Sequence, residues 1–244
     1  MVQVAPAGGR RTATEAFVID GADKDTRHIN LALRQAIAAG YREIRLLNPG
    51  SKHSLVVAIF EPVHITIEGS VGYFGATMLD GARVHILGRA GWSLGENMMS
   101  GEIVVEKNAG SSTGASIRGG TLVVKGSVGG RTGIQQKGGT IIVGGDSGFL
   151  TGFMMQRGRM IICGDVGRAA GDSMYDGEIF VGGEIASLGV DTLLEVPTAQ
   201  ELAEITADLE RYGLPTDRDW KRITAAKALY NYDSLEPLER KMML

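Results

Sequence analysis

Cysteine is almost missing from this chain. Among 244 residues only Cys163 occurs, which excludes an internal disulfide and fits a reducing, cytoplasmic setting. Charge of one sign is also missing. The formal net charge is -3, and acidic and basic residues are interspersed without long runs. Nothing in that balance points to the basic surface expected of a nucleic-acid binder. No apolar run approaches the length of a membrane span, and the N-terminus lacks the apolar core of a signal peptide. The expectation is a soluble intracellular chain, without nucleic-acid or membrane partners.

A catalytic constellation is missing too. The four histidines are His28, His53, His64 and His85. His64 and His85 stand 21 residues apart, out of step with the repeat described below, so they read as a surface and an outward strand residue. Cys163 has Asp165 near it but no base with an orienting group, as a nucleophile requires. Asp146, Asp165, Asp172 and Asp176 fall at turns, where aspartate bonds local backbone. No catalytic, cofactor-binding or metal-binding residue is predicted in this chain.

What the chain does have is glycine, 36 in all, about twice the usual share. Most lie between residues 63 and 190 and recur every nineteen residues. One column is Gly72, Gly91, Gly110, Gly129, Gly148 and Gly167. Others are Gly95, Gly114, Gly133, Gly152 and Gly171, and then Gly101, Gly120, Gly139, Gly158 and Gly177. Apolar columns keep the same step. Ile65, Val84, Ile103, Leu122, Ile141, Met160 and Ile179 form one. Two residues on, Ile67, Ile86, Val105, Val124, Val143, Ile162 and Val181 form another. Side chains two apart share a strand face, and β-branched residues favour strands.

One short strand per nineteen residues, with glycine at the corners, predicts a solenoid. The fold class is mainly β: a right-handed parallel β-helix of about seven coils, about 30 Å tall at about 4.8 Å per coil. The column through Gly72 and Gly167 is expected to show positive φ or close approach between coils. Ser147 beside it is expected to face outward. A dinucleotide-binding reading of Gly69-Ser-Val-Gly72-Tyr-Phe-Gly75 fails, because no amphipathic helix follows and the pattern recurs.

Four segments result. Residues 1–15 form an arm without periodicity. Residues 16–62 form a small α/β cap. It has an edge strand at Phe17 to Ile19, and a helix capped at Asp25 or Thr26 with Ile29, Leu33 and Ile37 inward. A strand follows from Glu43 to Leu47, and another over residues 54–59. Residues 63–190 are the β-helix, and 191–244 hold a C-terminal helix and tail. Thr198 with Glu201 is a capping box opening that helix, with Leu202, Ile205 and Leu209 on one face and Gly213 as its stop. The cap covers the first coil, and the C-terminal helix is the candidate cover for the last. The tail carries Leu229, Tyr230, Tyr232 and Leu235.

Met98, Met155 and Met174 share a column with Ile117 and Gln136 and read as core filling. Tyr73 and Trp92 are column-mates in adjacent coils and should stack. With Phe74, Phe149 and Leu150 they form either a partner interface or a surface packed against the cap.

The repeated strand–G–x–x–G–x–x–x–G pattern is seen in Gly126-Ser-Val-Gly129-Gly-Arg-Thr-Gly133 and in Gly164-Asp-Val-Gly167-Arg-Ala-Ala-Gly171. It resembles the GXGXG β-helix family, which includes the C-terminal domain of the glutamate synthase large subunit. The resemblance covers residues 63–190. It implies a non-catalytic scaffold subunit of a glutamate-synthase-like complex of the methylamine–glutamate N-methyltransferase (N-methylglutamate synthase) kind. The implied partners are a glutamine amidotransferase-like subunit and an FMN-binding subunit. FMN and iron–sulfur clusters would sit in those partners. The alternative is the corresponding β-helix subunit of a formylmethanofuran dehydrogenase or formyltransferase/hydrolase-type complex. Two coils depart from the pattern. Gly75 and Gly81 fall one residue short of the register that Ala76 and Ala82 occupy, and Ala186 and Val190 stand in glycine columns.

Overall fold

The computed structural model describes residues 16–226. The arm over residues 1–15 and the tail residues Leu229, Tyr230, Tyr232 and Leu235 lie outside the described residues. Among those described, eleven strands form a single sheet. Nine run parallel in chain order: β1 (Phe17–Asp20), β2 (Glu43–Leu47), β3 (His64–Glu68), β4 (Arg83–Ile86), β5 (Glu102–Val105), β6 (Thr121–Val124), β7 (Lys137–Val143), β8 (Arg157–Ile162) and β9 (Glu178–Val181). Two more, β10 (Thr192–Glu195) and β11 (Lys221–Ala225), are antiparallel to one another, with β11 seated between β9 and β10. Helices α1 (Thr26–Ala38) and α2 (Ala199–Tyr212) complete the set.

From β3 to β9 the register advances by nineteen, so Ile65, Val84, Ile103, Leu122, Ile141, Met160 and Ile179 lie side by side. This column and the one from Ile67 to Val181 are buried throughout. The parallel β-solenoid of about seven coils is therefore the observed fold. It runs on into the N-terminal piece, because β2 pairs with β3 and β1 with β2 in the same parallel sense. Ile44 and Leu46 extend the two inward columns.

Each coil has a second face that is not strand. There, every second residue takes a positive φ, as in Ser93 (56°), Gly95 (66°) and Asn97 (56°). Successive left-handed residues send their N–H groups to opposite neighbours. Ser93 donates to Ser111 O at 2.9 Å, Gly95 back to Gly75 O at 3.0 Å, and Asn97 to Ala115 O at 2.9 Å. This satisfies the backbone between coils without a regular strand. Residues 54–59, expected as a strand, belong to this face instead. Ser54, Val56 and Ala58 are left-handed at φ 53°, 58° and 52°.

The first coil shows why it departs from the glycine register. Ala76, in the column of Gly95, takes φ 51°, and positive φ falls on Gly81 at 92° and not on Ala82. The column from Gly72 to Gly167 has no positive φ. Its glycines are required by close approach. A Cβ on Gly148 would sit 2.6 Å from Gly130 N, and one on Gly167 would sit 2.7 Å from Gly148 C. Ser147, expected to face outward, is buried, its hydroxyl 2.6 Å from Thr151 Oγ1.

Helix α1 closes the first coil. Asp25 caps it, accepting from His28 N at 2.8 Å, and Ile29, Leu33 and Ile37 are buried as expected. Its polar side chains stand four residues apart and take the place of a missing coil. Thr26 Oγ1 donates to His53 O at 3.0 Å, Asn30 Nδ2 to Ser54 O at 2.7 Å, and Arg34 Nη2 to Val57 O at 3.1 Å. Helix α2 begins at its Thr198–Glu201 capping box and stops at Gly213 in the left-handed conformation. It does not close the open end of the last coil. Ile205 and Leu209 pack on the outward column of the sheet, against Val123, Ile142, Ile161 and Phe180. The last coil is closed by β11 and β10, with Ile223 buried in the main core.

Candidate functional site

The five residues expected at an interface separate into two groups. His53, Tyr73 and Trp92 form a stack along three successive layers. Ring centroids are 4.5 Å apart for His53 and Tyr73, and 5.4 Å for Tyr73 and Trp92. The Tyr73 N–H donates to His53 Nδ1 at 2.8 Å, which fixes the ring. So the N-terminal piece does pack here, yet only from one side. Trp92 remains 57% exposed and Phe74 47%. Phe74 is held outward by its left-handed backbone at φ 58°. Phe149 is also exposed, under the Arg131 guanidinium at 5.0 Å from its ring centre, with Leu150 half-buried beside it. Ser111 and Gly130 occupy the column between Trp92 and Phe149, so the two apolar groups are joined by a stretch of small residues. Exposed aromatics thus stand on either side of a small-residue stretch.

A second feature lies on the outer sheet face, where α2 ends. A groove of about 210 Å³ is lined by His64, Arg83, His85, Glu102, Glu106, Lys125, Arg211 and Tyr212. His64 and His85, read from the repeat as separate, line this one groove. Their ring nitrogens are engaged locally: His64 Nδ1 is 3.0 Å from Glu43, and His85 Nε2 is 2.7 Å from Glu106. Lys125 Nζ also meets Glu106, at 2.9 Å. Burial raises the Glu106 carboxyl, but its bonds from His85 and Lys125 outweigh that and lower it below the usual range. Tyr212 Oη donates to Glu102 at 2.7 Å, and burial followed by that carboxylate raises the phenol well above its ordinary value. These charges tie strand to strand and helix to sheet.

Cys163 is buried in the cluster under α2, with its sulfur 4.0 Å from Pro215 O. Burial pushes its thiol up to about 11, against a small opposing influence of Arg218. A thiol so protonated is a packing group. Met98, Met155 and Met174 are buried in the core with Ile117 and Gln136, as read. Among the described residues, no three histidine, cysteine, aspartate or glutamate side chains gather to hold a metal ion. No helix among them is long and apolar enough to cross a membrane.

The covering role of α2 was missed in the sequence. Its signal was the outward column, which changes from Thr66 and His85 to Val104, Val123, Ile142, Ile161 and Phe180. A solvent-facing column has no reason to stay apolar over five layers.

Residues 57–235 match the family described as GXGXG motif, and the chain belongs to that family. Protein GlxC of Rhizobium meliloti (strain 1021) is 40% identical over 90 residues, which is 36% of this chain and 39% of GlxC. The chain thus spans about 39% of the length of that curated relative. Among solved structures, the formyltransferase/hydrolase complex (FhcABCD) from Methylorubrum extorquens, in complex with methylofuran, contains a chain of similar fold. The TM-score is 0.51 at 22% identity, over 63% of this chain and 68% of that one.

Proposed function

We propose that this chain is a non-catalytic scaffold subunit of a glutamate-synthase-like complex. The particular reading is N-methylglutamate synthase, which joins methylamine and glutamate and releases ammonia. The observation that carries it is membership of the GXGXG motif family over residues 57–235. The site chemistry supports it, since His64, His85, Glu106 and Lys125 of the groove are held in ion pairs and Cys163 is buried in the core. In this reading a glutamine amidotransferase-like chain and an FMN-binding chain do the chemistry, and any iron–sulfur clusters belong to them. Tyr73, Phe74, Trp92, Phe149 and Leu150 form the surface on which one of them docks. The compartment is the cytoplasm.

A second reading makes the chain a subunit of a formyltransferase/hydrolase-type complex. It is motivated by the similar fold within FhcABCD, at an identity that speaks to fold alone. Purification of the native assembly, with mass spectrometry of its chains, separates the two. An amidotransferase-like chain with a flavoprotein is the expected result. A metal-dependent amidohydrolase-like chain in their place establishes the second reading. Stoichiometric flavin or metal on the isolated chain would overturn the scaffold role. Trp92→Ala with Phe149→Ala should reduce recovery of one partner chain at least tenfold in a pull-down, while circular dichroism shows the fold retained. Undiminished recovery places the docking surface elsewhere.

A further inference from the structure

Among the described residues the sheet ends at β10, and that edge is built unlike a protected one. The Ala226 N–H donates to Asp191 O at 2.8 Å, which makes that pair a hydrogen-bonded one. Antiparallel pairs alternate, so against β11 the bonded pairs are Leu193 with Thr224 and Glu195 with Arg222. The N–H and C=O groups of Thr192 and Leu194 therefore point away from β11, and no strand among the described residues lies on that side. Free edges are usually blunted by lysine, proline or a bulge within the strand. Here Val190, Leu193, Leu194 and Val196 are all exposed, Val196 at 85%. The one carboxylate of the strand, Glu195, is tied down by Arg222 Nη2 at 2.7 Å and Thr224 Oγ1 at 3.0 Å.

We propose that β10 is a self-association edge, at which two copies of this chain pair antiparallel about a two-fold axis. Charge excludes one register. Only registers that bring the outward groups of Thr192 and Leu194 together can form bonds. If Leu193 lay on the axis, Asp191 would face Glu195 of the other copy, with like charges opposed. With Leu194 on the axis, Leu194 faces itself, Thr192 faces Val196, and Glu195 faces Leu193. No charges then oppose, and the exposed apolar side chains cover one another. Pro197 ends the pairing beyond Val196, since it has no N–H to give. An isologous contact of this kind closes on itself and yields a dimer, not a fibre.

Light scattering after size exclusion tests this on the full chain. The expected mass is twice the 25.9 kDa of one chain, falling to one chain on dilution. Leu194→Lys puts two ammonium groups on the axis, so it should give a monomer at concentrations where the wild type is dimeric. Its circular dichroism and melting temperature at low concentration should match the wild type. Hydrogen exchange at the Leu194 amide, which has no acceptor among the described residues of one copy, should slow by at least tenfold with concentration. A full chain that stays monomeric overturns the proposal, as does a dimer that survives Leu194→Lys. Protection of Leu194 that appears only when a different chain is added assigns the edge to that chain and also overturns it.

Discussion

Glycine meets two separate demands in this chain, and they predict different losses. Gly148 has ordinary backbone angles, but an added methyl group would strike the backbone of Gly129 and Gly130 in the adjacent coil. Gly213 is the reverse. Its φ is 66°, and nothing lies within 4 Å of an added Cβ. Gly148→Ala should cost about 1–3 kcal/mol through overpacking. Gly213→Ala should cost about 1–2 kcal/mol through the left-handed backbone alone. Asparagine, which tolerates positive φ, should restore much of the loss at 213 and none at 148. Urea unfolding of the four variants checks this, and recovery of Gly148→Asn would mean that position is limited by φ after all. Ser147→Ala should cost about 1 kcal/mol, because its hydroxyl lies against Thr151 in the interior. Repetition located Gly148 and the helix stop located Gly213, but the sequence left open whether Gly148 answers to φ or to close approach. That distinction depends on where the neighbouring coil's backbone passes.

Among elements, α2 contributes most that was not legible in the chain. Its existence, cap and stop were written in Thr198, Glu201 and Gly213, and its apolar face in Ile205 and Leu209. Its destination was not, because a helix face names no partner until the outward column from Val104 to Phe180 is recognised as apolar. Strands β1 and β2 of the N-terminal piece were legible too, unlike residues 54–59, but their membership of the same sheet was not, since β2 and β3 are offset by 21 residues rather than nineteen. The start of α2 is also the pH-sensitive part of the closure. Burial raises Glu201, but the Thr198 N–H and hydroxyl and the Arg222 guanidinium outweigh it and hold the carboxyl at about 2. A carboxyl depressed in the folded state stabilises above its unfolded value of about 4.5, and that contribution is lost as pH falls toward about 2. Glu178 opposes this in part, because burial and then Glu201 raise its carboxyl. Glu201→Gln should therefore flatten the fall in melting temperature between pH 5 and about pH 2.5. An unchanged pH profile would show that the capping box does not govern acid sensitivity.

On the scale of the whole molecule, the solenoid is a stack in which each layer is supported by its neighbours, and α2 breaks that equality. Its 14 residues span about 21 Å at about 1.5 Å each, close to four strand spacings of about 4.8 Å. The contacts match that reach. Tyr212 and Arg211 bind Glu102 on β5, Arg159 on β8 meets Glu204 and Asp208, and Arg222 joins Glu178 on β9 to Glu201. Five layers are thus strapped together, whereas β1 to β4 are held by their own ladder and by α1. A buried carboxylate without a partner costs several kcal/mol wherever it is placed in this core, but its effect should differ on either side of the strap. Ile86→Asp lies in β4, outside it, and Val143→Asp lies in β7, beneath it; both parent side chains are fully buried. In Ile86→Asp, hydrogen exchange should quicken across β1 to β4 while β6 to β9 keep most of their protection. In Val143→Asp, the strapped layers should lose protection together, and α2 with them. If both variants lose protection evenly along the whole sheet, α2 does not divide the stack, and its ion pairs contribute nothing to cooperativity.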